Sequence, residues 1–252
     1  MRIILVLQYN GKHFCGWQIQ PQKRTVQQTV EDALLTFTGR HYPVTGSGRT
    51  DSGVHALCQV AHFDYNGTIP PEKFAPALNT VLPSDVKVVC SMLAPEGFHA
   101  RFSARKKTYC YNFYFSETEQ PLYEPFAERI DKSVDIAAMQ KACEYIVGTH
   151  DFKCFLASNS SVKDSVRTVY SCKIKKKKNM LTLTVCGNGF LYNMVRTIAG
   201  TVYFVGLNKI QPCKVGEIIQ LKQRDKVGKT LPAKGLFLQS VQYKGVKIPK
   251  IL

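Results

Sequence analysis

Acidic side chains are scarce in this sequence: 18 Asp and Glu stand against 34 Lys and Arg over 252 residues, a formal net charge of +16. Long apolar runs are missing altogether. No stretch approaches the roughly 18 residues that a membrane-spanning helix needs. The apolar residues after Met1-Arg2 end at Gln8, too early for a secretory leader. The nine cysteines are an odd number, scattered singly with no C-x-x-C, which argues against a disulfide framework or a zinc site and for small buried thiols in a reducing compartment. Together these absences predict a soluble cytoplasmic protein with no membrane partner. What is present suffices for a core. Hydrophobic residues make up 44% of the chain, too many for disorder. A chain of this length buries about 70–75% of its unfolded surface, enough for one large core or two ordinary domains.

The positive charge is unevenly placed. Residues 1–104 carry 9 Lys and Arg against 7 Asp and Glu, whereas residues 105–252 carry 25 against 11, so the net charges are +2 and +14. The clusters are Arg105-Lys106-Lys107, the lysine-rich run 173–178, the stretch 222–234 and the tail residues Lys244, Lys247 and Lys250. Each alone is equally a solvated face, and the run 173–178 reads as a hairpin turn between two strands. Together they favour a polyanionic partner, because neutralising phosphates releases counterions and a basic field steers nucleic acid at long range.

Two halves of similar plan are visible. Residues 3–9 read as a buried strand ended by Asn10-Gly11. Thr25 and Gln28 form a capping box ahead of Val26, Val30, Ala33, Leu34 and Phe37, which recur at helical spacing until Gly39. Strand-like segments follow at 42–45 and 57–65, then a helix from Pro70-Pro71 and a strand at 86–93. The order is βαββαβ. The second half repeats it with longer connections: a strand at 107–115, a helix at 134–147, strands at 167–175 and 180–186, helices at 190–205 and 213–221, and a strand at 235–243. The expected fold is α+β, two tandem ferredoxin-like βαββαβ domains, 1–104 and 105–252, joined into a continuous, mostly antiparallel sheet. Helices would cover one face and leave the other as a cleft for a large ligand such as folded RNA.

The chemistry concentrates between the strands at 42–45 and 57–65. Gly46, Gly48 and Gly53 frame Asp51, which implies backbone at positive φ or the close approach of another chain. A phosphate loop is a poor fit, since G-x-x-x-x-G-K-[ST] is absent and a strand follows. A metal site is a poor fit too: His41, His55 and His62 lack ligand spacing, and no second carboxylate follows until Asp64. From spacing alone, Asp51 is equally a turn residue accepting backbone hydrogen bonds.

The run Gly48-Arg49-Thr50-Asp51-Ser52-Gly53-Val54-His55-Ala56 resembles the signature of the tRNA pseudouridine synthase A family. Other segments extend the resemblance over nearly the whole chain. Phe14-Cys15-Gly16-Trp17-Gln18-Ile19-Gln20 is similar to its F-x-G-W-Q-x-Q, and Thr25-Val26-Gln27 to the helix start that follows. Phe98-His99-Ala100-Arg101-Phe102-Ser103-Ala104 resembles the segment leading into its second domain. Lys107-Thr108-Tyr109-Cys110-Tyr111 carries the Tyr-x-Tyr, Gly189-Phe190-Leu191-Tyr192-Asn193-Met194-Val195-Arg196 the arginine-bearing helix, and Gly235-Leu236-Phe237-Leu238 the last strand. Ser52 stands where the family commonly has Ala, and Lys106-Lys107-Thr108 where arginines are frequent.

The resemblance implies an isomerase with Asp51 as its essential group. It breaks the glycosidic bond of a uridine, turns the base while bound, and rejoins it through carbon to the same sugar. No cofactor or metal is implied, because nothing is oxidised, reduced or added. A carboxylate suits the task as nucleophile or as electrostatic partner of a sugar carbon developing positive charge, and a base role toward a sugar proton stays open. By position, Arg49 would enter beside the displaced nucleotide and contact phosphate, and Tyr109 would stack on the flipped uracil. Arg196 would pair with Asp51 and keep it ionised, and Leu236 would pack under the base. Each also has a plain reading: a turn arginine, a strand aromatic, a surface arginine and a core leucine. The implied partner is tRNA, at uridines 38, 39 and 40 of the anticodon stem-loop, and the implied assembly is a homodimer. Two competitors stay open: a non-catalytic RNA-binding module, which would present exposed aromatics on its sheet, and a pseudouridine synthase for another RNA.

Overall fold

The computed structural model describes residues 1–130, 133–157 and 164–249; Lys250 lies outside them. Among the described residues there are ten strands and five α-helices, and most strand pairs are antiparallel. The chain is α+β. It divides into two compact units, one comprising Met1–Lys107 with the stretch from Phe237 onward, the other Thr108–Leu236.

In the first unit β1 (Arg2–Tyr9) lies centrally. Ile3, Ile4, Leu5, Val6 and Leu7 are wholly buried, the pattern of a strand covered on both faces. It pairs antiparallel with β3 (His55–Asp64) on one side and β4 (Val86–Leu93) on the other. α1 (Val26–Thr38) is capped as its sequence dictates. Thr25 accepts the Gln28 N–H at 3.4 Å, and Gly39 ends the helix at φ +72°. α2 (Phe74–Val81) packs on α1 and β4. Phe74 makes edge-on contacts with Phe37 of α1 and with Phe63 and Tyr65 at the end of β3, at centroid distances of 6.0, 5.2 and 4.9 Å.

β2 (Thr45–Gly46) is shorter and later than the expected strand at 42–45. Pro43 has no N–H to give, and the Val44 N–H is taken by the buried Glu31 carboxylate of α1 at 2.9 Å. By chain order the last strand, β10 (Leu236–Tyr243), would fall in the second domain. From Phe237 on it belongs instead to the first unit, because Phe237 and Leu238 pair in parallel with His55 and Ala56 of β3.

The second unit orders its sheet β5-β9-β8-β7. These are β5 (Ala104–Phe115), β9 (Met180–Gly187), β8 (Val166–Lys177) and β7 (Gly148–Asp151). β6 (Glu128–Ile130) pairs in parallel with β5. β6 and β7 have no counterpart among the expected strands; each is too short to show a period. α3 (Ile136–Ile146), capped by Asp135, packs on β8 and on α4 (Met194–Gly206). α5 (Lys214–Gln220) completes the unit. α4 begins later than expected because Asn193 stands at φ +61°, outside helical backbone.

Candidate active site

The chain between β2 and β3, in the first unit, has little regular structure but many fixed contacts. The Thr50 carbonyl accepts the Trp17 N–H at 3.0 Å, and the Thr50 hydroxyl meets Tyr9 Oη at 2.8 Å. Phe14 O accepts the Gly53 N–H at 3.2 Å and the Ser52 hydroxyl at 3.3 Å. The Val54 N–H closes a turn onto Asp51 O at 3.1 Å, with Gly53 at φ +77°. The F-x-G-W segment thus brackets the loop. Gly16 is required there: at φ +86°, its Cβ would lie 2.5 Å from Thr50 O. Asp51 is half-buried and Arg49 exposed.

A polar network holds the start of this loop. Wholly buried Ser47 donates its N–H to Val60 O at 2.7 Å and its hydroxyl to Gln59 Oε1 at 2.6 Å, while Gln59 Nε2 donates to Gly48 O at 2.9 Å. Lys107 Nζ donates to Ser47 O at 2.6 Å. Burial first, and the nearby Arg101 charge second, push the Lys107 ammonium down to about 8. At the loop's far end His55 Nδ1 accepts the Gly11 N–H at 3.1 Å, and its ring stacks on Phe237 at 4.6 Å.

Tyr109, Arg196 and Leu236 lie in the second unit. Tyr109, on β5, is buried and edge-on to Phe190 at 5.3 Å. Tyr111 and Phe113 on the same strand are fully buried, so these two of the alternating aromatics of β5 are core. Arg196 is half-buried on α4, whose Met194, Val195, Ile198 and Val202 are all buried as the sequence implies. Its Nε donates to Leu231 O at 2.6 Å and its Nη1 to Asn193 Oδ1 at 2.8 Å. The second bond occupies the Asn193 side chain, which makes no capping bond to α4, and asparagine is among the few residues that visit left-handed backbone readily. Leu236 is buried at the head of β10.

Among the described residues no group of three or more His, Cys, Asp or Glu is placed to hold a metal ion. No helix there is long and apolar enough to cross a membrane. The family model for tRNA pseudouridine synthase matches residues 5–103 and 142–244. The tRNA pseudouridine synthase A of Caldicellulosiruptor bescii is 44% identical over 241 residues, spanning 96% of this chain and 99% of the relative. This chain belongs to the tRNA pseudouridine synthase family. The same-named protein of Bacillus subtilis is 42% identical over 245 residues, again spanning 96% and 99%. The synthase is therefore an isomerase that converts uridine to pseudouridine in tRNA.

Sequence reasoning misses Lys107, Ser47 and Gln59. Lys107 stands in the Tyr-x-Tyr segment, yet nothing local ties it to a serine sixty positions away. For Gly16 the signal is present, since it is the glycine of F-x-G-W, although its neighbour across the fold is not.

Proposed function

We propose that Asp51 is the catalytic group, that Arg49, Tyr109, Arg196 and Leu236 bind the target nucleotide, and that the target is uridine 38, 39 or 40 of the tRNA anticodon stem-loop. The reaction breaks the N1–C1′ bond and forms C5–C1′; a proton leaves C5 and one is returned at N1. Hence the enzyme needs a positioned anion and a base held in place, not an electron carrier. The supporting observation is the rigid framing of Asp51. Contacts from the 14–17 segment fix the backbone on both sides of a half-buried carboxylate, so little reorganisation accompanies the reaction. Extruding a paired or stacked uridine costs a few kcal/mol, which phosphate contacts by basic residues offset without reading sequence. The active species in this reading is a homodimer working in the cytoplasm.

The core placement of Tyr111 and Phe113 weighs against a non-catalytic module, which would present such rings to RNA. The test uses an unmodified tRNA transcript, with pseudouridine mapped by reverse-transcription stops after chemical derivatisation. Wild type is expected to mark positions 38–40, and Asp51→Asn to bind the transcript with unchanged affinity while forming no product. Product from Asp51→Ala at the wild-type rate would remove Asp51 from the chemistry, and marks elsewhere would give the enzyme a different target.

A further inference from the structure

We infer that the turn at residues 98–103 is a stacking platform for an unpaired base of the RNA, with Phe102 as the ring and Arg101 as the contact to the adjoining phosphate. This rests on the reading that the chain acts on tRNA, and it gives work to a segment with no part in the catalytic proposal.

Phe102 is 78% exposed, although Phe98 and Ala100 beside it are buried. An exposed ring on a loose loop would fold back onto apolar surface, but this backbone is not free to do so. His99 and Ser103 close the turn through His99 N–H to Ser103 Oγ at 3.0 Å and Ser103 N–H to His99 O at 2.9 Å. His99 Nδ1 accepts the N–H groups of Arg101 and Phe102 at 3.2 and 3.3 Å. The turn is anchored to the sheet as well: His62 Nδ1 accepts the Ala100 N–H at 3.2 Å, Tyr243 Oη donates to Ala100 O at 2.7 Å, and Arg2 donates to Phe98 O.

The geometry around the ring suits a base. The His99 imidazole stacks on Phe102 at 4.3 Å with 29° between planes, which backs the ring and holds its orientation. Burial, with the charges of Arg2 and Arg101, keeps that imidazole neutral over a wider range than usual. Exposed Arg101 lies with its guanidinium 5.8 Å from the ring centroid, within reach of a nucleotide stacked there. The turn also lies beside the strand that leads into the Asp51 loop: His62, which accepts the Ala100 N–H, pairs with Thr45 of β2, two residues before Ser47. A base held on Phe102 would thus flank the reacting uridine. A π-face with an adjacent cation is the usual equipment for gripping single-stranded nucleic acid without reading its sequence.

The test measures affinity of the full-length protein for an unmodified tRNA transcript as a function of salt, with product formation by wild type run in parallel. Phe102→Ala is expected to weaken binding about 10- to 100-fold with the salt slope unchanged. Phe102→Trp should bind as wild type, and Phe102→Leu, apolar but without a π-face, should bind as weakly as Phe102→Ala. Arg101→Gln should reduce the salt slope by about one. Thermal midpoints and sedimentation should match wild type throughout. A Phe102→Ala protein binding within twofold of wild type overturns the platform, as does Phe102→Leu binding like wild type. An altered oligomeric state in Phe102→Ala would make the ring a protein contact instead. If wild type modifies the transcript while Phe102→Ala binds normally, only the platform falls; if wild type modifies none, the tRNA reading falls and the platform with it.

Discussion

At the scale of single residues, the Asp51 loop depends on groups that hold it as much as on the carboxylate it presents. Asp51 is legible in the sequence because three glycines and a signature surround it. Lys107, Ser47 and Gln59 are not, because their work is a tertiary contact and nothing about their spacing announces it. His62 is similar. It is buried on β3, accepts the Ala100 N–H, and is pushed down to about 4 by desolvation, with Arg2 and His99 opposing its charge. A histidine whose folded pKa lies below its ordinary 6.5 contributes fully above that value. The contribution is lost as pH falls toward 4, because the unfolded chain binds the proton first. Urea unfolding between pH 7 and 4 should therefore show a loss of stability, at most roughly 3 kcal/mol from this residue. His62→Asn, which keeps an acceptor for Ala100, should lose less over that range.

At the scale of elements, helix α4 shows where local reasoning gives the wrong sign. Gly200 lies inside this helix, where glycine ordinarily costs about 1 kcal/mol relative to alanine, so sequence alone predicts that Gly200→Ala stabilises. In the structure a Cβ there would lie 1.8 Å from Lys229 O, and Gly228 packs as tightly from the other side, its N–H donating to Thr201 Oγ1 at 2.9 Å. The 228–231 segment also carries the Leu231 carbonyl that receives Arg196 Nε. Gly200→Ala should therefore destabilise by about 1–3 kcal/mol in chemical denaturation and lower turnover through Arg196. A variant more stable than wild type would show that the helix and the segment separate freely. The elements themselves are largely readable from caps and periodicity. What escapes are the short pairings β6 and β7 and the true extent of β2, which exist because a neighbouring strand offers partners and not because their residues demand extension.

At the scale of the whole molecule, the +16 is less available than its arithmetic suggests. In the cluster at 222–234, Lys222 pairs with Asp151 at 2.7 Å, Lys234 with Glu124 and Glu128, and Arg224 donates to Cys154 O. Those charges are engaged in fastening the second unit. Lys173, Lys175, Lys177 and Lys178 stand exposed along β8 and its turn, with no ion pair among the described residues. The sequence ranks these clusters alike, since it shows charge but not its partners. Reversing Lys173, Lys175 and Lys177 to Glu should flatten the salt dependence of tRNA binding by up to about 0.9 for each phosphate that is no longer neutralised. Reversing Lys222 and Lys234 should mainly lower the melting temperature. Equal effects on the salt slope would return the second cluster to the RNA surface.

The pairing of β10 with β3 has a consequence in time. The first unit, which holds Asp51, is completed only by residues that follow an excursion of about 130 residues through the second. Phe237 follows His55 by 182 residues, so at a synthesis rate of ~5–20 residues per second the growing chain spends roughly 9–36 seconds with that edge of β3 uncovered and His55 without Phe237 against it. A nascent chain therefore has Asp51 long before the first unit is complete, and the strand that arrives late acts as the latch on assembly of that unit.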